Sequence, residues 1–451
     1  MQLPAVDPRS RAILLPSATG RLRSELMVAE SADVLKRFYL LERELVRMQA
    51  GWLPAIECWE AKLALPELLW QDALVARQLR ERILELRYPE RRIGVDADRP
   101  LVDFYGAFTA GPNELAFLMA LARVVKPQVR ALFADYLHAA DSLDDAPSAH
   151  FLQHAVIDLD RQIERLDALV SDLAGRRPDL APAAGRWTRA VGAAVAALPP
   201  RGFHGRLLPA MPDFDVVAAG GRPFVVSRIG MRDRRFHRVR FAWPDRHMPQ
   251  PAGEGVQLQV RQAVHHLNEV WAAEMAAACL FDLLEDAPHD FLDDASRWCF
   301  DEIRHCRMGY ERLKDWGFAE DEMPLDSFSY DAGEKTDAIV RLGIIYFFET
   351  TYIHTKPARA KIFGADGDRL GSHDMDFDWA DELIHTHYGN KWLAHFLERE
   401  GAGRKPSDIK ALAEQSVVTL QQSATPADRA AAAAIFEDLM AKARARVAHS
   451  G

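Results

Sequence analysis

Cysteine is scarce in this sequence. Cys58, Cys279, Cys299 and Cys306 are the four in 451 residues, and no two form a Cys-x-x-Cys pair. A disulfide framework is therefore not expected, and the usage suits a reducing cytoplasm. No apolar run reaches the ~18 residues of a transmembrane helix, so no membrane span is expected. The opening MQLPAVDPRSRAILLPSATG lacks a long apolar stretch and does not read as a secretory leader. Nucleotide fingerprints of the G-x-G-x-x-G and G-x(4)-G-K-[ST] kinds are absent. Positive charge is in deficit, with 56 Lys and Arg against 66 Asp and Glu, and a net charge of −10 gives no reason to expect nucleic acid as a partner.

What is abundant is helical periodicity. Residues 1–30 read as an irregular arm punctuated by Pro4, Pro8 and Pro16. From Ser31 apolar and charged residues alternate at three-to-four spacing, predicting a helical domain over 31–198. Residues 199–255 are rich in Gly, Pro and Arg. There FVVSRIG and FHRVRFAW alternate in strand fashion, predicting a connector with a small hairpin or an extended crossing segment. Arg228, Arg232, Arg234, Arg235, Arg238 and Arg240 in it form a basic cluster, read as a solvated face with an anion site as the alternative. A second helical domain is expected over 256–400 and a helical tail over 401–451. The polar stretch KPARAKIFGADGDRLGSHDMDF between two helices of that domain is a candidate lid.

Residues 256–400 carry the chemistry. Glu302 with His305, and Glu382 with His385, are the two Glu-x-x-His pairs in the chain. Residues three apart share a helix face, about 5–6 Å apart at Cβ. A Glu in such a pair can bridge two metals while the His ligates one. Glu349 lies inside the apolar run YFFETTY, where an unpaired carboxylate is costly. A fourth Glu is expected from HHLNEVWAAE, and two residues compete for that role. Helical phase favours Glu274, on a face with Leu267, Val270, Trp271 and Phe281. Spacing favours Glu269, which precedes Glu302 by the 33 residues that separate Glu349 from Glu382; Glu274 is preferred as the ligand on phase, with Glu269 as the second candidate or a group behind the ligands. Two Glu-x-x-His helices and two single-Glu helices are the ligand set of a carboxylate-bridged two-metal site in a four-helix bundle. Mixed oxygen and nitrogen ligands suit iron or manganese. Asp301 and Asp381, each preceding a ligand Glu, are candidates to accept the outer ring N–H of a ligand His.

HHLNEVWAAE, DEIRH, FETTYIHTKP and DELIHTHYGNKW together resemble the ferritin-like family known as domain of unknown function 455, over about residues 256–400. The resemblance implies a ferritin-like bundle with a di-iron or related centre and implies no reaction. The overall expectation is an all-α protein: a ferritin-like four-helix bundle, preceded by a second helical domain and a short strand-containing connector. The first domain reads as a worn copy of the second or as an unrelated bundle. Shifting the second half back by 222 residues sets Glu274, Glu302 and His305 on Trp52, Arg80 and Ile83. A shift of 230 sets Lys356-Pro357 on Lys126-Pro127 and Glu349 on Met119. With its would-be ligands replaced, the first half is expected to bind no metal.

Three functions fit this reading. The preferred one is an oxygen-activating di-iron enzyme, with manganese or a mixed pair as alternative metals. It would act with oxygen on a small molecule and draw electrons from a separate donor or from the substrate. A non-catalytic module with a structural metal is the second. Iron storage or detoxification is the third, and the length and irregularity of the chain weigh against it.

Overall fold

The computed structural model describes residues 25–90, 92–199, 203–205, 207–241 and 253–450. Most of the arm expected over 1–30 and the end of the connector, 242–252, lie outside them. The described chain is all-α apart from one two-stranded sheet.

The first half contains helices α1 (Val28–Trp52), α2 (Trp59–Leu86), α3 (Arg99–Gly106), α4 (Glu114–Ala120), α5 (Lys126–Ala139), α6 (Ala146–Arg176) and α7 (Ala181–Ala196). A π turn over Leu121–Val125 joins α4 to α5. The second half contains α8 (Gly255–Asn268), α9 (Val270–Leu283), α10 (His289–Asp315), α11 (Phe328–Asp331), α12 (Ala338–Tyr352), α13 (Lys356–Ala365) and α14 (Arg369–Glu400). The tail helices are α15 (Pro406–Gln422) and α16 (Pro426–Ser450).

Four helical columns of the second half pack together: α8 with α9, then α10, α12 and α14. Local signals fix their ends. The Asp337 carboxylate accepts from the Val340 N–H at 2.8 Å and opens α12. Asp368 does the same for Gly371 and opens α14, which Gly401 closes in the left-handed region at φ +67°. Two glycines set the column spacing. A Cβ on Gly309 of α10 would lie 2.2 Å from the Ala263 carbonyl oxygen of α8, and one on Gly389 of α14 would lie 2.4 Å from the Tyr346 ring of α12. Any larger residue would push apart the columns that carry the site.

The two halves share one continuous apolar core, because α9 packs on α1 and α10 packs on α2. The structure bears on three expectations. No hairpin forms in the described part of the connector. His237–Arg238 pairs in parallel with Pro324–Leu325, so the strand lies partly outside the expected segment. FVVSRIG is irregular instead, because its side chains and backbone are used one at a time to bridge the halves. Phe224 packs between Trp52 of α1 and Phe281 of α9, the Ser227 carbonyl accepts from Tyr330 of α11, and just past the segment the Met231 carbonyl accepts from Lys62 of α2.

The candidate lid is also mostly helical. Its polar residues form α13 and the first turns of α14, which pack on each other. The arginine cluster is not an open anion site either. Arg228 pairs with Asp282, Arg232 with Glu274, Arg234 with Glu57, and Arg235 with Asp233 and Glu60. Among the described residues no helix is long and apolar enough to cross a membrane.

Candidate metal centre

The bundle brings six of the seven expected residues together. Glu302, Glu349, Glu382 and His385 each offer an atom within 4.8 Å of the others, and Glu269, Glu302 and His305 form an adjoining group. Glu302 belongs to both groups. All six are buried.

Glu274 is the residue that does not join. Its carboxylate is fully buried at the seam between the halves, ion-paired with Lys62 of α2 and at 2.7 Å with Arg232. Helical phase misled for a physical reason. Glu274 itself turns toward the first half, where Lys62 of α2 meets it, while Trp271 of the same apolar face packs on Phe348 of α12. The column also breaks at Glu269, which ends α8 and begins α9 at ψ −3°, so a single projection does not carry across it. That break turns Glu269 to the centre.

Each imidazole is held from behind by the aspartate of the opposite helix. His305 Nε2 lies 3.3 Å from Asp381, and His385 Nε2 lies 3.4 Å from Asp301. Arg297 and Arg304 hold these aspartates in turn. Arg297 Nε donates to both Asp301 oxygens at 2.8 and 2.7 Å, and Arg304 Nη1 donates to Asp301 at 2.5 Å and Asp381 at 3.0 Å. With Nε2 committed to a carboxylate, Nδ1 of each ring faces inward.

His385 Nδ1 lies 3.1 Å from Glu302 and 3.6 Å from Glu349. His305 Nδ1 lies 3.6 Å from Glu302 and from Asp378, 3.7 Å from Glu269 and 3.9 Å from Glu382. Both Nδ1 atoms, and Glu269 Oε2, are buried without a hydrogen-bond partner. Buried polar atoms are normally satisfied, and here three lie unsatisfied in two adjoining groups that share Glu302. That donor set fits a divalent metal.

Charge makes the same point. Burial pushes Glu269 up to about 8 and Glu349 up to about 7. Burial opposes charge on His305 as well, yet Asp378, Asp381 and Glu302 outweigh it and hold the imidazole up at about 10. Without metal, protons occupy the centre because carboxylates this close cannot all ionise uncompensated.

Three residues here, Asp378, Lys356 and Trp298, were missed by sequence reasoning. Asp378 sits with His266 and Glu269 on one side and with His305 and Glu382 on the other. Its position four before Glu382 on α14 puts it on the same helix face, and that spacing could have revealed it. Lys356 opens α13, and its ammonium reaches Asp378 at 2.5 Å and Glu382 at 2.6 Å. Trp298 Nε1 donates to Glu302 and Glu349, each at 3.1 Å, and its ring stacks on His385. A cavity of about 120 Å³ opens from Glu269, Glu302 and Glu349 between α9, α12 and α15.

Fold and site together define a helical-bundle protein with a buried carboxylate–histidine centre able to bind metal. Residues 227–438 match the family described as protein of unknown function (DUF455). The match extends past both ends of the 256–400 resemblance, taking in much of the connector and most of the tail. No curated protein and no solved structure matches the chain.

Proposed function

We propose that this protein is a ferritin-like di-metal oxidoreductase that binds two iron ions, or manganese in place of one or both, and activates oxygen against a small molecule. The observation that carries the reading is the pair of buried, unpartnered Nδ1 atoms of His305 and His385, each facing carboxylates. Glu269 and His305 would serve one ion and Glu349 and His385 the other, with Glu302 and Glu382 shared. Bound there, the reduced metals would supply electrons to oxygen.

The residues of the chain have separate tasks. Asp301 and Asp381 keep each Nε2 protonated, so that Nδ1 presents its lone pair to the centre. Trp298 fixes the Glu302 and Glu349 carboxylates by donating to both. Lys356 holds Glu382 and neutralises Asp378. Phe347, Phe348 and Trp271 line the cavity beside Glu269 and Glu349 and keep bulk water from the centre. The cavity favours catalysis over a purely structural metal, since a structural site is closed.

Full-length protein loaded anaerobically with ferrous iron should take up two ions per chain. Mixing with oxygenated buffer should give a rapid rise of ferric absorption, and Glu302→Ala should abolish it. Wild type that holds two irons yet oxidises them no faster than Glu302→Ala would leave the metal with a structural role only.

A further inference from the structure

Among the described residues, Arg359 is the one lysine or arginine lining the cavity that has no carboxylate partner. It lies on α13, one turn beyond Lys356, and is 5% exposed. Nη1 donates to the Gln262 side-chain oxygen at 2.9 Å and Nη2 to Thr355 Oγ1 at 3.2 Å, both neutral acceptors. Nε has no partner, and among the described residues no carboxylate lies within ion-pair distance. Buried guanidinium groups are normally paired with an anion.

The neighbouring charges are otherwise accounted for once metal is bound. The centre holds five carboxylates, Glu269, Glu302, Glu349, Glu382 and Asp378, and one ammonium, Lys356, paired with Asp378 and Glu382, which leaves four negative charges for two divalent ions. Glu274 is matched by Lys62 and Arg232, with Asp326, also in the cavity wall, adding its charge near Arg232. Arg359 remains. The wall also carries an aromatic cluster and aliphatic surface: Trp271 and Phe348 have ring centroids 4.8 Å apart, Phe347 and Phe328 lie beside them, and Ile353 and Val417 add to the apolar lining, among polar residues such as Asn268 and Gln421. At ~10–15 Å³ per water-sized centre, the cavity has room for roughly ten.

From this geometry we propose that the cavity binds a small amphipathic carboxylate, with its anionic end on the Arg359 guanidinium and its apolar body against Trp271, Phe347 and Phe348. This assigns a substrate class to the site and rests on the metal reading above, because bound metal is what leaves Arg359 uncompensated. A bidentate carboxylate would satisfy Nε and pair the buried charge in one step. An uncharged analogue of the same shape would gain the aromatic contacts only.

The test uses the full chain loaded with manganese(II) and two probes of equal length, 3-phenylpropionate and 3-phenylpropan-1-ol, with binding followed by calorimetry and metal content measured on the same samples. The acid should bind on the order of tenfold tighter than the alcohol or better. Arg359→Gln should erase that preference with two metals still bound, and Arg359→Lys should keep part of it. Phe348→Ala should weaken both probes by a similar factor and leave the preference in place. Two-metal protein that binds acid and alcohol equally, or neither, overturns this inference alone, as does an unchanged preference in Arg359→Gln. Protein that takes up no metal overturns the metal reading and this inference with it.

Discussion

Each half of the chain buries a lysine at the centre of a helical bundle, and the two lysines sit in unlike company. In the first half, Lys126 follows the π turn Leu121–Val125 and precedes Pro127. In the second, Lys356 follows a 3-10 turn over Ile353–Thr355 and precedes Pro357. Lys126 donates to both oxygens of Asp72, at 2.9 and 2.7 Å, and to Gln162 at 2.6 Å, while Gln49 donates to Asp72 at 2.6 Å. Nearby Glu42 is pushed well up by burial and by Asp72, so it favours the neutral form. One ammonium and one carboxylate close that account. Lys356 donates to Asp378 and Glu382, in a centre that also gathers Glu269, Glu302, Glu349, His305 and His385. The comparison teaches that a buried ammonium suffices as the internal cation of one bundle and falls short in the other, a deficit that the two divalent ions proposed above would fill.

The largest effects should separate the halves outright. Glu302→Ala removes the carboxylate common to both ligand groups and should bring metal content close to zero by elemental analysis. Asp72→Ala should leave metal content unchanged and lower unfolding free energy by about 3–5 kcal/mol in denaturant titrations, because it strands Lys126 in the core. Metal loss in Asp72→Ala would break the comparison.

A second contrast lies on a single column. Glu269→Ala should lower metal occupancy strongly with modest loss of stability. Glu274→Ala should do the reverse, costing about 3–5 kcal/mol by stranding Lys62 and Arg232. Equal effects of the two on both readouts would contradict their assignment to different partners.

A smaller effect is expected from the aspartates behind the imidazoles. Asp301→Asn and Asp381→Asn should each weaken metal binding about 10–100-fold in competition with a chelator, without abolishing it.

The subtlest expectation is a pH dependence of the metal-free protein. Glu269 and Glu349 are raised from 4.5 to about 8 and about 7, and His305 from 6.5 to about 10. Between its unfolded and folded values each group binds more protons in the native state than in the unfolded one. Their stabilisation is therefore complete below the unfolded values and is lost progressively as pH rises from about 4.5 to about 10, the two glutamates' share by about 8 and that of His305 between about 6.5 and 10. Melting of the metal-free chain should fall across that window. In the metal-loaded chain, where metal replaces those protons, the fall should be much smaller.

The sequence disclosed the helices and most of the centre, because both are written in spacing. Glu302 with His305 and Glu382 with His385 sit three apart on one face, and Glu349 sits where an unpaired charge is costly. What the spacing could not disclose depends on contacts made across the chain. Whether Glu269 or Glu274 faces the centre turns on the column break at Glu269 and on Lys62, 212 residues away in sequence. Pairing of Asp301 with His385 and Asp381 with His305 crosses between helices, so neighbours in sequence could not show it. Lys356 was visible in the alignment of the halves, but its role depends on where α13 turns. The alternation in FVVSRIG was real and did not make a strand, because the segment serves as a bridge between the halves.

The most direct test is the position and number of metals in the intact protein. Crystals loaded with iron or manganese should give two anomalous scattering peaks per chain, both among Glu269, Glu302, His305, Glu349, Glu382 and His385, and none near Lys126 and Asp72. A chain that binds no metal with these residues intact, or that binds one in the first bundle, would contradict the account.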